Sequence, residues 1–155
     1  MILMSMLGLL PFVLYALLQT APVSLLKGDV LNPDEKAKLS AAQKVDERIQ
    51  VYHSASKRMQ QSITVAVSGN DFSNMPDALN RWVELLSGSV EDIDANIKPK
   101  KKSKALIRYE IQVRQALTSL KGYKAKAPID QQDVFDSKLS EAESIRKRFV
   151  EIIFR

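Results

Sequence analysis

Cysteine is absent from the 155 residues. Its absence excludes disulfide staples, thiolate metal sites, a cysteine nucleophile and a lipidated N-terminal cysteine. Histidine occurs once, at His53, so neither a Ser-His-Asp set nor a multi-histidine metal site can be assembled. A Gly-rich phosphate loop and a Gly-x-Ser-x-Gly elbow are also missing. Glycine and proline are few and fall mainly at apparent joints, and no run shows strand-like alternation. An all-α chain is the expectation. Aromatic residues make up only 6%, so its core must be built mainly from aliphatic side chains.

Charge is missing from one stretch, Met1 to Leu26, where Leu, Met, Val, Ile and Phe dominate up to Leu18. An apolar run followed by Ala16, Thr20, Ala21 and Ser24 reads as a secretory signal peptide. Two details disagree. No Lys or Arg precedes the run, and Gln19, Ala21 and Pro22 fit the small-x-small cleavage rule poorly. The alternative is an uncleaved membrane anchor, since the run reaches the ~20 residues that a bilayer requires. Lys27, Lys36 and Lys38 all follow it, which for an anchor places the rest of the chain in the cytoplasm. Residues 27–32 form a polar linker.

Four amphipathic helices are expected over 33–155. Asn32-Pro33-Asp34-Glu35 is a helix start, with a cap, a proline at the first helical position and a capping-box glutamate. Ala42, Val45, Ile49, Tyr52, Ser56, Met59, Ile63 and Ala66 then alternate by three and four. That spacing predicts one helix over about 33–68, roughly 50 Å long, closed by Gly69-Asn70. The second helix, about 74–98, carries Met75, Leu79, Trp82, Leu86, Val90, Ile93 and Ile97. The third, about 103–122, carries Leu106, Tyr109, Val113, Ala116 and Leu120. The fourth, about 130–155 with Asp130 as its cap, carries Phe135, Leu139, Ala142, Ile145, Phe149 and Ile152. Short joints between them predict an antiparallel up-down four-helix bundle preceded by the export segment.

The net charge of +5 is too small to select a partner. Its distribution says more. Lys98, Lys100, Lys101, Lys102 and Lys104 lie within one seven-residue joint, and Arg108 follows on the next turn. They are the candidate anion-binding residues, suited to phosphate head groups or an acidic polymer. No aromatics interleave with them, so nucleic acid is not an expected partner. The plainer reading is a solvated loop whose charges offset the acidic end of the second helix, helped by the helix dipole.

Glu84, Glu91, Asp92 and Asp94 read as a solvated face opposite basic neighbours. Arg146, Lys147 and Arg148 read as compensated by Glu141, Glu143 and Glu151. His53, with Glu47 and Lys57 as its expected neighbours, reads as a partly exposed structural residue, and Trp82 as a core residue. No catalytic, metal or cofactor residue is expected.

The segment from Leu39 to Ile49, with Val51-Tyr52 and Ser56-Lys57-Arg58-Met59, resembles the opening helix of a family of small, uncharacterised bacterial proteins. The resemblance covers about a fifth of the chain. It implies an exported, mostly helical protein and supplies no site residue. The expectation is a non-catalytic structural or protein-interaction bundle of the bacterial envelope, periplasmic or membrane-anchored. Its partner would be an envelope protein, an anionic surface or a second copy. A binding module working through the lysine joint and a ligand-sensing bundle are the alternatives.

Overall fold

A computed structural model describes residues 30–155; the expected export segment, 1–26, lies outside them. Five helices and no strands are present among the described residues. None of these helices is long and apolar enough to cross a membrane.

The first, α1 (Pro33–Ala41), opens as its sequence pattern requires. Asn32 Oδ1 accepts from the Glu35 amide at 2.8 Å, and Glu35 Oε2 accepts from the Asn32 amide at 2.9 Å. The helix then stops early. Ala42 and Lys44 are extended, with ψ of 121° and 146°, and a new helix, α2 (Val45–Ser68), begins. The single helix expected over 33–68 is therefore two. The cause is Glu47, whose Oε2 accepts from the amides of Gln43 at 2.9 Å and Lys44 at 3.1 Å and so caps the second start. No glycine or proline marks the break. The leading rod is 24 residues, roughly 36 Å rather than 50 Å.

The break lets α1 fold back along α2. Leu39 enters the core, and Arg58 Nε and Nη2 donate to Glu35 Oε1 and Oε2 at 2.7 and 2.8 Å. Burial raises the Glu35 carboxyl, but hydrogen bonds from Arg58 and the Asn32 amide outweigh it and hold it below its ordinary 4.5. A carboxyl with a depressed folded pKa contributes fully above its unfolded value and loses that contribution as pH falls through the folded one. Protection of the α1 amides against hydrogen exchange is therefore expected to hold above the ordinary carboxyl value of 4.5 and to decline as pH falls below it. Glu35→Gln should remove most of that decline. An unaltered acid response in the variant would mean that other contacts hold α1.

Three more helices complete the bundle: α3 (Met75–Asn96), α4 (Lys104–Lys124) and α5 (Ile129–Phe154). α5 is capped by Pro128, and Asp130 falls in its first turn instead of at the cap. Left-handed backbone at the α2 stop is taken by Asn70, at φ 53°, and not by Gly69. The expected seams of α3 and α4 are buried throughout. On α2 the seam holds from Ile49 to Ile63, but Ala42, Val45 and Ala66 are only half-buried and Val67 closes the far end. On α5 only Ile145 is half-buried.

The order in space differs from a simple up-down bundle. α2 packs on α3 and α4, and α5 packs on α3 and α4, whereas α3 and α4 lie across a diagonal and meet only where the Ser89 and Tyr109 hydroxyls approach to 3.0 Å. The neighbours α2 and α4 run parallel: Ser103 reaches Asp46, Ser56 reaches Gln112, and Thr64 meets Tyr123. α3 and α5 are parallel too, joined by Gln131 to the Phe72 carbonyl at one end and by Arg155 to Asp94 at the other. Two antiparallel hairpins, α2/α3 and α4/α5, thus lie side by side, and the lysine joint crosses a diagonal.

A polar chain threads this core. The Trp82 indole N–H donates to Ser56 Oγ at 3.0 Å, Ser56 donates to Gln112 Oε1 at 2.9 Å, and Gln112 Nε2 donates to Gln60 Oε1 at 3.0 Å. Ser56 occupies a seam position because the indole of a buried tryptophan requires an acceptor.

Candidate anion-binding joint

Two buried anchors hold the joint. Ile97 closes α3 and sits in the core. Ser103 caps α4, its Oγ accepting from the Leu106 amide at 3.1 Å while donating to Asp46 Oδ1 at 2.8 Å. The residues between, 98–102, are all exposed, as are Lys104 and Arg108. The Lys101 amide donates to the Lys98 carbonyl at 3.2 Å, making a turn through Pro99 and Lys100. Lys100 adopts φ 65°. Glycine is relaxed there and a β-carbon is disfavoured.

Among the described residues, none of Lys98, Lys100, Lys101, Lys102, Lys104 and Arg108 has an ion pair or a side-chain hydrogen bond. All of the nearby acids but Glu91 have other partners. Asp92 is buried, contrary to the solvated face expected of it. Arg48 Nε and Nη2 donate to its two oxygens at 2.8 and 3.0 Å, the Tyr52 hydroxyl donates at 2.6 Å, and Asn96 Nδ2 donates at 3.0 Å. Burial first, and then Asp92, push the Tyr52 phenol far above its ordinary value, so it remains a donor. Asp94 pairs with Arg155 at 2.6 Å. Asp46 accepts from Ser103. Glu91 stays exposed.

Other basic residues behave differently. Arg146 donates to Glu110 Oε1 at 2.7 Å and to Glu143 at 2.8 Å, so part of its compensation comes from α4, across the helix pair. Lys147 and Arg148 are exposed. His53 is half-buried beside Tyr109, with ring centroids 6.0 Å apart, and not beside Glu47. Glu47 instead caps α2. Sequence reasoning missed Asp92 and Ser103 as structural anchors. The available signal was Arg48, a cation one residue before a seam position and able to follow a carboxylate inward.

An open cleft of about 500 Å³ lies at the α1/α2 elbow, lined in part by Asp34, Lys38, Glu47 and Ser54. Among the described residues no three His, Asp or Glu side chains converge on a point where a metal ion would sit. Comparison with protein-family models, curated proteins and solved structures finds no match.

Proposed function

We propose that this chain is a non-catalytic helical interaction module of the cell envelope, whose contact face for an anionic surface is the Lys98–Lys104 joint. One observation supports the reading: five exposed lysines cross one end of the bundle and, among the described residues, none of them makes an ion pair. Unpaired cations held on a fixed support attract lipid head groups or an acidic polymer with no ion pair to break. The uncharged residues 1–26 favour export to the envelope or anchoring there.

The test replaces Lys98, Lys100, Lys101, Lys102 and Lys104 together with glutamine. Each lysine near an anionic bilayer contributes about 1 kcal/mol. Affinity for phosphatidylglycerol vesicles should therefore fall by more than about a hundredfold. Retention of the unmodified chain should weaken steadily with added salt. An acidic polysaccharide run in parallel separates lipid from polymer. Equal retention of the variant and the unmodified chain on both would overturn the reading.

A further inference from the structure

We propose that His53, Lys57 and Arg108 form a subsite for a phosphate group, a phosphomonoester or phosphodiester, on the face where α2 and α4 run side by side. The inference deepens the anionic-surface reading and rests on it: the joint's lysines meet the surface, and this cluster seats one of its phosphates.

Placement comes first. Because α2 and α4 are parallel neighbours, one face brings together groups from both. Lys57 lies one turn beyond His53 on α2, and the His53 ring packs against Tyr109 of α4 with the planes 32° apart. Arg108 lies one turn before Gln112, which bonds Ser56 and Gln60 of α2, so it stands on the α4 side facing that turn of α2. Tyr109 is itself fixed. It is buried, its hydroxyl lies 3.0 Å from Ser89 Oγ, and its ring lies 5.0 Å from Phe149. The imidazole is thus positioned by ring packing, and it has no hydrogen bond among the described residues.

Charge comes second. Lys57 and Arg108 are exposed, neither has an ion pair among the described residues, and both act electrostatically on His53. The acids on the two helices are engaged elsewhere: Asp46 with Ser103, Glu47 with the α2 cap, and Glu110 with Arg146. Behind Tyr109, which the imidazole packs against, stand the uncharged Ser89 of α3 and Phe149 of α5. Burial first, then the two cations, hold His53 below its ordinary value. A phosphate seated among the three groups reverses that balance. Lys104, one turn before Arg108, continues the basic strip back to the joint.

His53 is the only histidine in the chain, so its ring gives an unambiguous NMR signal. Its pKa would be measured in the full chain alone, with inorganic phosphate, and with phosphatidylglycerol vesicles. A rise of about one unit is expected in the presence of bound phosphate, equivalent to about tenfold tighter binding to the protonated ring. The rise should vanish in a Lys57→Gln, Arg108→Gln double variant, whose changes are at exposed positions. A rise with both probes supports a subsite for the shared phosphate chemistry. A rise with vesicles alone assigns the site to lipid head groups, and a rise with inorganic phosphate alone assigns it to a free ligand. No rise with either probe, while the five-lysine variant still loses vesicle retention, overturns the subsite and leaves the surface reading standing. No rise and no retention overturn both.

Discussion

Trp82→Ala is expected to lower stability by about 3–5 kcal/mol, a fall in Tm of roughly 10–20 °C for a domain of this size. Trp82 is 1% exposed. Removing its rings opens a large cavity between α2 and α3, and removing its N–H strips Ser56 of a donor deep in the core. Trp82→Phe separates the two effects. It keeps most of the volume and loses only the hydrogen bond, with an expected loss of about 1–3 kcal/mol. Calorimetry on the two variants decides the matter. An alanine variant no weaker than the phenylalanine one would show that the site collapses around the gap and that the indole does not anchor the α2/α3 seam.

Asp92→Ala is expected to be about as damaging, at about 3–5 kcal/mol, for a different reason. The carboxylate satisfies the Arg48 guanidinium, the Tyr52 hydroxyl and the Asn96 amide at once. Without it, a cation with a side chain only 16% exposed and a buried phenol lose their partner. The harm therefore comes mainly from what remains behind. Removing both charges, as Arg48→Met with Asp92→Leu, should recover part of the loss, because no charge is then left unpaired and only the Tyr52 hydroxyl still lacks its acceptor. Urea midpoints on the single and double variants check this. A double variant as unstable as Asp92→Ala would place the defect in packing and not in the orphaned charge.

The helical part of the fold was legible because its signal repeats. Seven apolar residues at three-four spacing on α3 leave little room for another reading, and all seven are buried. What failed to show was set by single interactions. The break before Val45 carries no glycine or proline. It depends on Glu47 turning its carboxylate back onto two amides, and the same residue inside an unbroken helix would look no different in sequence. Asp92 was misread because it stands between Glu91 and Asp94, and only the approach of Arg48 from another helix draws it inward. The order of helices in space was equally hidden, since joint length constrains which ends meet and not which sides. For the candidate site, the cluster of lysines was plain, but their lack of acidic partners and the placement of His53 against Tyr109 both depend on the pairing of α2 with α4.

Connectivity explains why the lysines lie across one end of the bundle. Here the chain leaves at Ile97 and re-enters at Ser103, at opposite corners of the end of the barrel of helices, and runs as a strap over the apolar fill between them. Adjacent rods lie 8–10 Å apart, so opposite corners are roughly 13 Å apart. Five spanning residues reach that far with slack to spare, at ~3.3 Å each. Every residue from 98 to 102 is open to water. That the charges lie across the end of the bundle, and not at one edge of it, is thus a property of how the two hairpins are stitched together.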